Sequence, residues 1–325
     1  MAPDMNPPPA APAFLARAGW GDAQIRPLAG DASFRRYFRA VEHERTAVLM
    51  DAPPPHEDPR PFLTIAQWLA ERGFAAPTIL ASDLDAGLVL LEDFGDARMR
   101  ETVDAAPESE LRLYEQAVDL LVRLHEHEAA PVRAYDVGEY HREADLLVEW
   151  YCPAVGIDDA DAEAYRRAWA AVLPLLDARA VTVLRDYHAE NIMLIDRGLG
   201  LLDFQDALAG HAAYDLVSLL QDARRDVRPD LEAAMLDRYC RTTGADDAFV
   251  TAYHVLGAQR NAKIVGIFTR LWQRDGKPRY PGLCPRVWAY LERDLAHPAL
   301  APVKAWFDAT IPRALRGDPM TIAQG

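Results

Sequence analysis

Apolar and polar residues alternate from Phe34 to Val41, with Phe34, Arg36, Phe38 and Ala40 on one face and Arg35, Tyr37, Arg39 and Val41 on the other. This predicts a strand, which Glu42-His43-Glu44 turns into a second one over 46–50. After a proline-rich linker from Pro53 to Pro61, Phe62, Ile65, Ala66 and Leu69 trace one helix face. Two more apolar strands follow, 78–81 and 88–91. Beyond them the period changes. Leu111, Tyr114, Val118, Leu121 and His125 recur at three- and four-residue steps, the stripe of a long core helix. Further helices are predicted over 140–152, with Glu143, Asp145 and Glu149 as solvated carboxylates or lining an acceptor pocket, and over 162–176, 231–239, 249–272 and 287–295. A short helix over 14–20 and a disordered, extended arm over 1–13, with Pro7-Pro8-Pro9, complete the pattern.

Three short apolar runs interrupt the helical part, at 182–184, 192–195 and 199–202, and Arg197-Gly198 makes a turn between the last two. The loop between the first two reads Arg185-Asp186-Tyr187-His188-Ala189-Glu190-Asn191, and the last run ends in Asp203-Phe204. A hairpin over 192–202 carries Asn191 and Asp203 to the same end of adjacent strands. One loop carboxylate, an amide at D-x-x-x-x-N spacing and a second carboxylate are what phosphoryl transfer from a metal-bound nucleotide requires. Asp186 is the candidate base for an acceptor hydroxyl; Asn191 and Asp203 are the candidate ligands of Mg²⁺. Positioning and charge neutralisation do most of the work in such chemistry, so few side chains suffice.

Composition narrows the partners. A chain of 325 residues buries a large core, and a hydrophobic content of 50% with 26% charged residues is that of a soluble enzyme. The formal net charge of −15 opposes nucleic acid and anionic membranes, while a local arginine cluster still accommodates a small anionic substrate. Cys152, Cys240 and Cys284 are far apart and form no C-x-x-C pair, which argues against disulfides and zinc and suits the cytoplasm. No apolar run reaches the ~20 residues of a membrane helix.

The segments Leu184 to Asn191, Asp203-Phe204-Gln205-Asp206-Ala207 and Tyr214-Asp215-Leu216 resemble the aminoglycoside phosphotransferase family. Gly30 to Tyr37, Gln259-Arg260-Asn261-Ala262-Lys263, Gly266 to Leu271 and Arg274 to Lys277 extend the match and bring it closer to bacterial anomeric kinases of N-acetylmuramate and N-acetylglucosamine. The resemblance implies an α+β, bilobal, protein-kinase-like fold: a small β-rich nucleotide-binding N-lobe over 14–93 and a larger, mainly helical C-lobe over 94–325. It implies ATP and Mg²⁺ as cofactors, an amino-sugar as acceptor, no nucleic acid or membrane partner, and a functional link to a sugar-1-phosphate nucleotidyltransferase. By the same resemblance the turn around Gly30 and Ser33 covers phosphates, backbone around Glu92 and Phe94 binds adenine, and Asp215 supports the catalytic loop.

A kinase N-lobe carries a lysine on the strand that here reads Ala47-Val48-Leu49-Met50, yet no lysine precedes Lys263. Arg35 and Arg36 are the candidate replacements, since guanidinium binds phosphate bidentately. Arg260 and Lys263 share a helix face and suit an anionic group such as a lactyl carboxylate; a surface stripe is the alternative. Gln205 and Asp206 touch sugar or metal, or else hydrogen-bond the ligands from outside. His188 meets the acceptor or the loop. A kinase of another small alcohol, such as an aminoglycoside, and a silent nucleotide-binding regulator are the rival readings.

Overall fold

The computed structural model describes residues 6–28 and 35–324. By compactness the chain divides into one unit of residues 1–107 with 190–207 and a second of 108–189 with 208–325.

In the first unit five antiparallel strands, β1 (Gln24–Pro27), β2 (Arg36–Glu42), β3 (Arg45–Asp51), β4 (Ile79–Asp83) and β5 (Leu88–Glu92), lie in the order β1-β2-β3-β5-β4. Strand alternation sends Phe38 and Ala40, Ala47 and Leu49, and Leu88 and Leu90 to one face, all fully buried. That face packs with Ala11, Phe14, Leu15 and Trp20 into one apolar cluster. The helix at its edge is Ala11–Arg17, earlier than the predicted 14–20. Pro12 fits the first turn, where its missing N–H costs nothing, and burial of Ala11 draws the start back into the expected disordered arm.

The predicted hairpin forms as β7 (Ile192–Ile195) and β8 (Gly198–Leu201), with Ile192 opposite Leu201. It belongs to this unit because the Leu194 N–H donates to the Ala97 carbonyl at 2.7 Å and the Leu201 N–H to that of Ala75 at 2.8 Å. Residues 94–107 therefore stay with the sheet, past the boundary expected at 93.

In the second unit β6 (Val181–Val183) pairs with β9 (Leu208–Gly210) amid helices. The helix Asp247–Gln273 runs through the centre, with buried residues on most of its circumference, Gln259, Arg260 and Asn261 among them. Gly266 permits this packing: a Cβ there would stand 2.3 Å from the Leu146 carbonyl carbon. The predicted 140–152 helix is broken into an α-helix Val137–Ala144, a π turn Leu147–Tyr151 and a last short α turn. Its carboxylates correct the sequence reading: Glu143 and Asp145 are buried, and only Glu149 is exposed. Among the described residues no helix is long and apolar enough to cross a membrane.

Candidate active site

The sheet face opposite the Ala11–Arg17 helix opens on a cavity of about 450 Å³ in the first unit. Tyr37 and Arg39 of β2, Val48 of β3 and Leu91 of β5 line it, one register step from the buried residues named above. Phe62 forms part of the lining and stacks on Phe204, with ring centroids 4.9 Å apart.

At one end lies the segment after β5. The Glu92 carboxylate accepts from the Thr78 backbone N–H at 3.1 Å and the Thr78 hydroxyl at 2.8 Å, and pairs with Arg197 at 2.6 Å. The Arg197 hydrogen bonds hold its carboxyl down at about 2. This side chain is thus committed to the protein, and the Glu92 N–H donates to the Thr78 carbonyl at 2.8 Å. Phe94 lies under the Arg197 guanidinium, 5.3 Å from ring centre, and above Gly200, whose hydrogen leaves room for the ring. Arg39, which the sequence reading passed over, ties the segment down by pairing with Asp93 at 2.7 Å and Asp96 at 2.8 Å. Its place on the polar face with Arg35 was the available signal.

Asn191 and Asp203 line the same cavity. Asn191 Nδ2 is 3.4 Å from Asp203 Oδ2, as the hairpin predicted. Asp203 is in the left-handed region (φ 57°), a conformation that a side-chain-bearing residue adopts only where its surroundings enforce it. Gln205 Nε2 donates to Asp203 Oδ1 at 2.8 Å and approaches Asp206 at 3.3 Å. An amide oxygen and a carboxylate are the donor chemistry of a hard cation such as Mg²⁺.

The two candidate arginines diverge. Arg35 lines the cavity and faces Glu57 at 3.7 Å. Arg36 is bonded to buried Asp51 at 2.8 Å, and it is not part of the cavity lining. The turn with Gly30 and Ser33 lies outside the described residues.

In the second unit the loop bearing Asp186 is built on Asp215, fully buried in the helix Ala213–Leu220. Its carboxylate accepts from the Leu184 N–H at 2.6 Å and the Arg185 N–H at 2.8 Å. Asp186 is half-buried, and its carbonyl accepts from the His188 N–H at 3.0 Å. His188 is buried with Nε2 3.2 Å from Arg224 Nη1. Arg260 is buried against the Ser218 hydroxyl at 2.8 Å, and Lys263 pairs with Glu143 at 2.9 Å. Glu143 also pairs with Arg185 and accepts from the Tyr135 hydroxyl. Burial pushes its carboxyl up, but Lys263 and Arg185 more than offset this and the net direction is down.

Residues 24–253 match the Phosphotransferase enzyme family. The chain belongs to this family. It is 38% identical to an N-acetylmuramate/N-acetylglucosamine kinase of Caulobacter vibrioides, over 92% of this chain and 95% of that one. A kinase of the same name from Pseudomonas aeruginosa is 39% identical, over 89% and 90%. Among solved structures, the gentamicin complex of aminoglycoside phosphotransferase APH(2'')-IIa superimposes with a TM-score of 0.62 at 13% identity, over 92% of this chain and 99% of that one. The choline kinase LicA from Streptococcus pneumoniae gives 0.60 at 14%, over 86% and 93%. The chain therefore has the fold of these small-molecule kinases. In this phosphotransferase Val48 is the β3 side chain in the cavity, and the cations among its described lining are Arg35, Arg39 and Arg98.

Proposed function

We propose that the protein transfers the γ-phosphoryl group of ATP to the anomeric hydroxyl of N-acetylmuramate or N-acetylglucosamine, giving the sugar 1-phosphate. The observation that carries the reading is the cavity of the first unit, in which the half-buried segment 92–94 and the side chains of Asn191 and Asp203 line one space. The choice of acceptor is supported by the relatives named above.

Asp186 orients the acceptor hydroxyl and takes its proton; an anomeric hydroxyl is more acidic than an ordinary alcohol and asks little of that base. Asn191 and Asp203 hold Mg²⁺, with Gln205 fixing the Asp203 carboxylate. When bound, Mg²⁺ neutralises charge on the phosphates. Arg35 takes the phosphate-bracing role of the missing lysine. Arg36 has no such role, being engaged by Asp51. The product calls for a nucleotidyltransferase acting on sugar 1-phosphates, in keeping with recycling of cell-wall sugars in the cytoplasm.

³¹P NMR of the purified protein with Mg²⁺, ATP and each sugar in turn tests the proposal. A new phosphorus resonance coupled to the anomeric proton is expected. ADP formed with neither sugar, but with an aminoglycoside or another alcohol, would move the acceptor elsewhere.

A further inference from the structure

Arg185, the residue immediately before Asp186, has a left-handed backbone with φ 72°. An arginine gains nothing from that conformation by itself, so its neighbours must impose it. They grip it at three points. Its N–H donates to Asp215, its carbonyl accepts from the Ser218 hydroxyl at 3.0 Å, and its guanidinium pairs with Glu143.

Two of these three partners lead to one helix. Arg260 Nη2 donates to Ser218 Oγ at 2.8 Å. Lys263 Nζ donates to Glu143 Oε1 at 2.9 Å and lies 3.2 Å from the Tyr214 hydroxyl. Both cations sit one turn apart on Asp247–Gln273. A guanidinium only donates, so Ser218 Oγ must accept from it, and the single hydroxyl proton is left for the Arg185 carbonyl. Glu143 only accepts when ionised, and its position between Lys263 and Arg185 fixes the guanidinium in turn. Arg260 and Glu143 are 4% and 1% exposed, too deep for a sugar to touch without dismantling the packing, and half-buried Lys263 has its ammonium engaged by Glu143 and the Tyr214 hydroxyl.

We propose that Arg260 and Lys263 are positioning residues that clamp Arg185, through Ser218 and Glu143, and so set the carboxylate of Asp186, instead of contacting the sugar. The inference rests on the kinase reading for the role of Asp186.

The test combines kinetics with amide hydrogen exchange on the full chain. In Arg260→Met, kcat is expected to fall roughly tenfold to a hundredfold, with KM for sugar and ATP within about twofold, since small displacements of a reacting group cost that much. Ser218→Ala should do the same, and the double variant should be little worse than either, because both cut one chain of bonds. Arg260→Lys keeps a donor and should recover part of the rate; it also serves if the methionine variant does not fold. Lys263→Met should likewise lower kcat at unchanged KM. Exchange at the Leu184 and Arg185 amides, measured without ligand, should accelerate in each. A rise in sugar KM at constant kcat, or additive losses in the double variant, would overturn the proposal. If the wild type phosphorylates no sugar, exchange alone decides: unchanged protection at 184–185 in Arg260→Met refutes the clamp.

Discussion

Burial pushes the Asp215 carboxyl up to about 7, against the N–H bonds from Leu184 and Arg185 that favour its charged form. An ordinary aspartate in the unfolded chain ionises near 3.8. Between those values the folded protein holds a proton that the unfolded chain has lost, so the stability due to this group is complete below about 3.8 and is lost as pH rises through about 7. Thermal melts of Asp215→Asn should accordingly show a flatter pH dependence across that window than the wild type; parallel curves would refute the assignment. At Asp186 the expectation concerns rate. Replacing it with Asn removes the base while keeping the shape, and turnover should fall by roughly 10²–10⁴ with ATP affinity nearly unchanged, as read by kinetics and nucleotide titration. The proximity of Asn191 and Asp203 was legible because a hairpin sets it locally. The partners of Glu143 and Ser218 were not, because nothing adjacent in sequence distinguishes a buried, paired side chain from a solvated one.

The hairpin β7–β8 shows how an element transmits a site. Its register puts Asn191 and Asp203 at one end, and Gly200 leaves the space that the Phe94 ring fills. A Cβ at Gly200 would lie 2.7 Å from that ring. Gly200→Ala should displace Phe94 and weaken ATP binding by roughly tenfold, about 1.4 kcal/mol, measurable by calorimetry. The central helix has a comparable constraint. Gly266→Ala would press a methyl group into the backbone at Leu146 and should destabilise the fold by about 1–3 kcal/mol in denaturant titrations, since backbone yields less readily than a side chain. The strand and helix periods announced these elements well, yet their ends moved: the first helix starts at Ala11 because Ala11 is buried, and the 140–152 helix breaks into α and π turns. Such ends depend on what the element packs against, which a local pattern does not contain.

For the molecule as a whole, the nucleotide reading implies linkage between binding and stability. Mg²⁺ with ATP at about one hundred times its Kd should stabilise the chain by about 2.7 kcal/mol, seen as a higher Tm. A Tm indifferent to ATP would count against the cavity as the nucleotide site.

The sequence alone announced the central strands and the long helices, through the change from a two-residue to a three- and four-residue apolar period, though not the strands Gln24–Pro27 and Leu208–Gly210, and it singled out Asp186, Asn191 and Asp203 as candidates through their spacing. Tertiary structure decided what each polar side chain pairs with. Arg35 lines the cavity and faces Glu57 while Arg36 pairs with Asp51; Arg260 bonds Ser218, and Glu143 joins Lys263 to Arg185. The physical reason is the cost of burying a charge: a buried ion must find an opposite charge or a hydrogen bond, and its partner comes from whichever segment the fold brings alongside.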